Sequence, residues 1–448
     1  MTRASTIELL RSYESRNVTF VAPDGSWPIV WERAKGVHVW DETGRRYLDL
    51  TAAFGVAGAG HANPRVVAAG SKQMGRLLHA MGDVHPHRLK AELACKLSSL
   101  TFERWTKSSG TRFKAKTIFC NSGFEAVEAA LKTARMATGR RGVIAFENAY
   151  HGLGYGALNA THRSHFRSHF RDQLGGFATF VPFPLFKSFE APHRAAAAAL
   201  EQLEARIRSL LRKKTIGAIL VEPIQVRGGI NVPPREFLPM LRRLSDEHDA
   251  LLVLDEIYTG FGRTGKWFAC EHIEVVPDVI CIGKALTGGF PLSACVGRAD
   301  IMDAAWPPSN GEAIHTSTFL GHPVGCAMAQ ANIREIQTRH LVGHCAGLGE
   351  FLLKALRALE RRYETTRLRL QARGLGLLAG LELRLPDASP ATKLALSIIQ
   401  SLLQSGFIFL PEGEHANVIS FTPPLTISRA QLQLALDALE QAMPKSRP

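Results

Sequence analysis

The sequence predicts an α/β protein whose main body is a mostly parallel β-sheet covered by helices on both faces. Three observations carry this. Short, almost unbroken apolar runs recur from about residue 116 to residue 282, stretches with an apolar stripe at helical spacing separate them, and small-residue turns join run to stripe. A strand covered on both faces is apolar at every position, whereas a half-exposed one alternates, so such runs between amphipathic helices call for a doubly covered sheet. At 448 residues the chain exceeds the roughly 250 to 300 residues at which one core stops growing, so at least two packed units are expected.

Taken in order, residues 36–50 (GVHVWDETGRRYLDL) read as a hairpin, with Val37, Val39, Tyr47 and Leu48 in strand-like runs around the turn Asp41-Glu42-Thr43-Gly44. From about residue 62 the pattern becomes α/β. Lys116–Cys120 is a short strand, Asn121-Ser122-Gly123 a small-residue turn, and EAVEAALKTARMATGR a helix with Ala126, Ala130, Leu131 and Ala134 on its stripe. Strands at Gly142–Phe146, Thr215–Val221, Ala250–Leu254 and Val279–Ile282 alternate with helices near 195–212, which holds an alanine run at 195–199, and 235–248. This makes residues 61–329 the large unit. Beyond Pro323 come a long helix, a glycine-interrupted strand candidate at Leu375–Leu383, helices near 391–404 and 428–442, and a strand at Asn417–Phe421. The α+β tail, 330–448, is expected to pack with residues 1–60 as a smaller unit.

Composition narrows the function classes. With 46% hydrophobic and 21% charged residues the chain has the material for a large core and lacks the profile of a disordered one. A net charge of +14 favours anionic ligands, but no zinc-finger spacing or basic tail accompanies it. The clusters Arg212-Lys213-Lys214 and Arg361-Arg362 sit at helix edges, so a solvated surface and no nucleic-acid partner are expected. Seven cysteines without a CxxC pair suggest neither a disulfide framework nor a metal cluster. No run approaches the roughly 18 apolar residues of a membrane span. A soluble cytoplasmic protein is expected.

The chemistry concentrates in two segments. Asp255 and Glu256 follow the buried run Leu251–Leu254, at the sheet edge where open α/β folds bind ligands; a strand-end cap, a salt bridge or an ATPase acidic motif would suit the pair as well. Lys284 lies 29 residues further on, after Val279–Gly283 and before Gly288-Gly289. A desolvated lysine there would have a lowered pKa and supply a neutral amine for attack on an aldehyde, although a surface lysine beside a turn is the plainer alternative. Two nucleotide signals fail: GFGRTGK at 260–266 is followed by Trp267 where magnesium binding needs Ser or Thr, and Gly152-Leu153-Gly154-Tyr155-Gly156 lacks the full dinucleotide spacing. Ser122, Gly123 and Phe124 open a helix, which suits a phosphate as well as an ordinary N-cap. Tyr150 and His151 read either as a packing turn or as a flat face for a heteroaromatic ring.

The segments FCNSGFEAVEAALKTAR, NAYHG, LVEPIQ, LVLDEIYTGFGRTG, IGKALTGGFPLSA and STFLGHP occur in an order and spacing that resembles the class III pyridoxal-phosphate aminotransferases. The likeness runs from VHVWDETGRRYLDL to FTPPLTI, nearly the whole chain. It implies the fold type I architecture, a seven-stranded mostly parallel sheet plus a small α+β domain, and a homodimer with active sites at the subunit interface. It also implies pyridoxal 5'-phosphate held as a Schiff base on Lys284, with Asp255 on its ring nitrogen. By the same resemblance Tyr150 and Ile257 would cover the ring faces, Ser122 with the Gly123 and Phe124 amides would hold the phosphate, and Thr318 would reach it from the neighbouring subunit. Tyr258 stands where many relatives have a glutamine. Glu222 and Gln225 fall in the active-site segment, His151 either assists or merely orients the turn, and Phe54 corresponds to an aromatic wall.

The implied reaction moves an amino group from an amine donor to a keto-acid acceptor; a decarboxylase, racemase or aminomutase on the same scaffold, and a non-enzymatic cofactor-binding regulator, are the competing classes. The departures concern substrate. Ser420 stands where many relatives place an arginine before the PPL segment, and Leu153 where many have a basic residue. A serine cannot make the two-point ionic grip of a guanidinium. Phe54, Tyr150 and Phe421 would instead enclose an uncharged tail, which points to a primary-amine or ω-amino donor. An inward-folding arginine such as Arg227 would restore carboxylate binding and favour an α-amino-acid donor.

Overall fold

The computed structural model describes residues 5–23, 25–107, 112–185, 193–363 and 368–444. The outermost ends of the two expected terminal units, and the side chains of the first residues of the expected alanine run, lie outside the described residues.

The N-terminal hairpin forms as the sequence predicts, with a third strand before it: β1 (Trp31–Lys35), β2 (His38–Asp41) and β3 (Arg46–Asp49) are antiparallel neighbours, and Val39 faces Tyr47. The central sheet then uses β4 (Ala115–Cys120), β5 (Gly142–Phe146), β6 (Ala178–Val181), β7 (Ile216–Val221), β8 (Leu251–Asp255), β9 (Val279–Ile282) and β10 (Ser293–Arg298). Its seven strands lie in the order β4-β10-β9-β8-β7-β5-β6. Only β10 runs against the rest, pairing antiparallel with both β9 and β4.

Every residue of β7, β8 and β9 is buried, because both faces are covered. Along β8, Leu252 and Leu254 join a large core with Phe237 and Leu241 of the helix Phe237–Glu247. Leu251 and Val253 face the other way, onto Ala126, Ala130 and Ala134 of the helix Gly123–Thr138. The period-2 alternation of a strand thus serves two cores at once. β6 and β10 are strands that apolar runs do not reveal. β10 contains Ser293 and Gly297, and a Cβ at Gly297 would lie 2.6 Å from the Met302 sulfur, so a small residue is required there.

The tail adds β11 (Arg369–Leu375), β12 (Leu378–Arg384), β13 (Phe407–Ile408), β14 (Leu410–Glu412) and β15 (Val418–Phe421). The single strand expected at Leu375–Leu383 is instead the turn and second arm of the β11–β12 hairpin. Gly376, at φ 58°, turns the chain in a left-handed conformation that glycine adopts without strain. A second sheet has the order β11-β12-β15-β14, whereas β13 pairs in parallel with β3, Phe407 facing Leu48, and completes the N-terminal sheet. The two ends of the chain are therefore joined by backbone hydrogen bonds. Among the described residues no helix is long and apolar enough to cross a membrane.

Candidate active site

Five strands that run in one direction deliver side chains at their carboxyl ends. Ser122 follows β4, Tyr150 and His151 follow β5, Glu222 follows β7, Asp255 ends β8, and Lys284 follows β9. A cavity of about 400 Å³ lies where they converge, lined by Gly123, Phe124, Tyr150, His151, Glu222, Arg227, Asp255, Ile257, Tyr258 and Lys284, with Leu153 and Ile224 at its sides.

Asp255 is almost fully buried, and its two carboxylate oxygens have different tasks. Oδ1 accepts the Ile257 N–H at 3.1 Å, and Oδ2 lies 2.7 Å from Nδ1 of the buried His151. Nε2 of His151 has no partner among the described residues. With the hydrogen on Nδ1 the ring donates to Asp255. The His151 N–H is itself bound to Thr161 Oγ1 at 2.9 Å, so the ring is anchored from its backbone. Each oxygen of Asp255 keeps a lone pair for a further donor from the cavity.

Glu256, next in sequence, points elsewhere. It is fully buried and accepts the N–H groups of Ala269 and Cys270 at 2.8 Å each, together with the Thr259 hydroxyl. It therefore ties down the turn Ala269–His272. Burial raises its carboxyl pKa to about 7. Of the carboxylate pair in the sequence, one member serves the cavity and the other serves the fold.

Lys284 opens the single turn Lys284–Leu286 and adopts a left-handed φ of 43°, an unusual conformation for a residue with a side chain. Its ammonium lies 4.7 Å from the centre of the Tyr258 ring. Burial lowers its pKa, while Asp255 and Glu222 oppose that shift. The outcome is a larger share of neutral amine than a surface lysine carries. Glu222 accepts the Tyr150 N–H at 3.0 Å and the Val226 N–H at 3.3 Å, and burial raises it to about 7. It thus fixes the turn that carries the Tyr150 ring.

At the other end of the cavity Ser122 precedes the helix Gly123–Thr138. Its N–H is held by Glu125 Oε2 at 2.8 Å and its carbonyl accepts from Ser293 Oγ at 2.6 Å, while its buried hydroxyl oxygen faces the Glu125 N–H in a capping box too loosely to make a hydrogen bond and has no other partner among the described residues. A hydroxyl so loosely held beside the first amides of a helix suits a phosphate. Gly123 makes room: a Cβ there would lie 3.0 Å from Ile257 Cδ1. Phe124 lines the same end, against Gly152 of the Tyr150-His151-Gly152 turn.

Arg227 stands at the mouth, its guanidinium 5.7 Å from both the Phe54 and Tyr150 ring centres and 3.6 Å from the buried Glu412. Phe54 is 47% exposed and sits in a run of left-handed residues, Ala52 to Gly55, which projects it outward.

None of the four residues that the sequence suggests for the substrate pocket lines the cavity: Phe54 stands outside it beside Arg227, and Gln225, Ser420 and Phe421 are buried elsewhere. Gln225 is fully buried and spends its amide on Glu147 O at 2.7 Å and Asn231 Nδ2 at 3.1 Å. Ser420 donates to Leu410 O at 2.9 Å within the tail sheet, and Phe421 packs against Phe409 with ring centres 5.0 Å apart. All three satisfy local packing. Tyr258 lines the cavity but turns its hydroxyl to Thr422, 3.4 Å away. Thr318 is exposed and does not reach the cavity of its own chain. Glu412, by contrast, escapes sequence reading, since PEGEH has neither periodicity nor a motif.

This convergence of lysine, ring-facing aspartate and phosphate-ready helix start coincides with a match to a family. The model for class III aminotransferases matches residues 20–443. The chain belongs to that family. It is accordingly an enzyme, an aminotransferase that uses pyridoxal phosphate. It is 35% identical over 418 residues to the 5-aminovalerate aminotransferase DavT of Pseudomonas aeruginosa, covering 92% of this chain and 93% of that protein. It is also 35% identical over 432 residues to a putrescine aminotransferase of Pectobacterium atrosepticum, covering 95% and 84%. Among solved structures, an amine transaminase from an uncultivated Pseudomonas species in its cofactor-bound form superposes with a TM-score of 0.84 at 30% identity, covering 96% of this chain and 97% of that one.

Proposed function

We propose that this aminotransferase takes its amino group from a primary amine remote from any α-carboxylate, and passes it to a keto acid whose carboxylate meets Arg227. The observation that carries the reading is the cavity wall. Among the described residues Arg227 is the one guanidinium lining it, and that group already faces Glu412, while Leu153, Ile224 and Tyr150 supply apolar surface. No arginine comes from β15, where Ser420 is engaged inside its own sheet. The relatives that act, by name, on 5-aminovalerate and putrescine agree with this donor class.

The residues fit the cofactor, as the loosely held Ser122 hydroxyl and the space kept at Gly123 indicate. When bound, pyridoxal phosphate supplies an aldehyde for the amine and a sink for the electrons left at carbon. Lys284 Nζ would tether it and, once released, would accept the proton leaving the amine-bearing carbon and deliver it to the carbon that had borne the aldehyde. Asp255, held by His151, would keep the ring nitrogen protonated. Ser122 Oγ and the Gly123 and Phe124 amides would hold the phosphate, Tyr150 and Ile257 would cover the ring faces, and Glu222 fixes the Tyr150 turn.

The finer reading is a homodimer in which Thr318 of one subunit completes the phosphate site of the other. Its support is the exposure of Thr318 beside Ile314 and Phe319, which are 68% and 52% exposed. Residues 61–329 form the cofactor-binding unit, and 1–60 with 330–448 the smaller one, a division supported by the β13–β3 pairing. A cytoplasmic site of action fits seven cysteines that are all free. The test is single-turnover conversion of the holoenzyme with matched alkyl amines, diamines, ω-amino acids and α-amino acids, followed by cofactor absorbance. Faster conversion by terminal amines supports the reading; consistent preference for α-amino acids over their decarboxylated analogues overturns it.

A further inference from the structure

Glu412 is a carboxylate in an unusual position. It ends β14, is 3% exposed, and receives no hydrogen bond to its carboxylate among the described residues. Its one ion pair is Arg227 Nη1 at 3.6 Å, beyond hydrogen-bond reach. A buried carboxylate so weakly satisfied is costly, and it is held within the field of Lys284, the amine-handling residue, and of Arg163.

The Arg227 side is loose in a complementary way. Its backbone is fixed, since its carbonyl accepts the Gly413 N–H at 3.2 Å and the next turn is pinned by Arg373 through Gly229 O at 2.6 Å. Its side chain is 29% exposed and rests on two ring contacts and the long ion pair. A guanidinium so held can leave at small cost, provided that another cation takes its place on Glu412.

We propose that Glu412 selects the donor: its carboxylate receives the remote ammonium of a diamine-type donor in exchange for Arg227, which turns instead to the carboxylate of an acceptor or of an ω-amino acid. This rests on the terminal-amine reading above and names the charge that the far end of the preferred donor carries. One cavity then accepts substrates of opposite terminal charge, because each replaces one member of an internal ion pair. In the donor half the displaced Arg227, which is 29% exposed, is left to solvent; in the acceptor half Glu412 gives up its partner and, since burial raises its carboxyl to about 7, can take up a proton instead.

The experiment compares 1,4-diaminobutane with butylamine in single-turnover conversion of the holoenzyme, for wild type, Glu412→Gln and Arg227→Gln. A hydrogen-bonded charge pair contributes about ten- to hundredfold in such a ratio. The wild type is expected to prefer the diamine, and Glu412→Gln to lower the diamine-to-butylamine ratio by at least about tenfold. Arg227→Gln, with its fold checked by circular dichroism because it leaves Glu412 without its ion-pair partner, is expected to raise the ratio and to slow 5-aminopentanoate. An unchanged ratio in Glu412→Gln, or a fall in Arg227→Gln, overturns the proposal. Should Glu412→Gln fail to fold, the Arg227→Gln ratio decides alone. A wild type that converts neither amine but does convert α-amino acids instead overturns the terminal-amine reading, and so separates the two failures.

Discussion

Replacing Glu222 by glutamine tests whether burial governs the site's carboxylates. Burial raises Glu222 from 4.5 to about 7. A shift of about 2.5 units corresponds to roughly 3 kcal/mol of unfavourable ionisation once the pH is well above 7. The sign follows from linkage. The folded state binds this proton more tightly than the unfolded chain, so the stabilisation is complete below about pH 4.5 and is lost as pH rises through about 7. Glutamine has no such proton. It does set an amide donor against one of the two N–H groups that Glu222 accepts, from Tyr150 and Val226, at a cost of about 1 to 3 kcal/mol. Glu222→Gln should therefore be less stable than wild type at pH 5 and equal or more stable at pH 8.5, the difference moving by about 3 kcal/mol. In a chain of 448 residues that is a relative Tm shift of about 3 °C. Differential scanning fluorimetry of both proteins at the two pH values reads it directly. A Tm difference that stays constant from pH 5 to pH 8.5 would refute the reasoning.

Further outcomes follow from the same geometry. Lys284→Ala should bind pyridoxal phosphate without a covalent link and lose nearly all amino exchange; turnover at the wild-type rate would remove Lys284 from its role. Gly123→Ala pushes a methyl to 3.0 Å from Ile257 Cδ1, an overpacking that costs about 1 to 3 kcal/mol, and should weaken cofactor retention on dialysis while leaving the fold intact by circular dichroism. His151→Phe removes the donor that holds Asp255 Oδ2 and should lower kcat by about tenfold or more, with little change in amine KM; an altered KM alone would make His151 a substrate contact. Arg227→Ala should raise the KM for the keto acid more than for a monoamine donor, as steady-state kinetics with each substrate varied in turn will read.

The parts of the fold that were legible in the sequence are those where burial leaves no compositional choice. β7, β8 and β9 are covered on both faces, so each reads as an apolar run and each ends at a site residue. β10 stays hidden because Gly297, which packs closely on Met302, and Ser293, which donates to Ser122 O, carry no strand signal. The first arm of the tail hairpin, Arg369–Leu375, stays hidden in the sequence because RLQARGL is polar and partly exposed, so that only the turn and second arm read as a strand.

In the site, the sequence located segments better than side chains. Asp255 and Glu256 are adjacent, yet only the contacts reveal that one lines the cavity and the other caps a turn. Gln225, Ser420 and Phe421 belong to segments near the cavity, but local hydrogen bonds and packing turn their side chains into the protein. Glu412 acquires its significance from a long-range encounter with Arg227, which belongs to the large unit and precedes the tail altogether.

The central claim is that the converging strands build a cofactor site around one lysine. Borohydride reduction of the holoenzyme, followed by peptide mass mapping, tests it most directly. The account predicts the mass of reduced pyridoxal phosphate on the peptide that contains Lys284 and on no other lysine. Its appearance on a different lysine, or its absence from every peptide of an active preparation, would contradict the account.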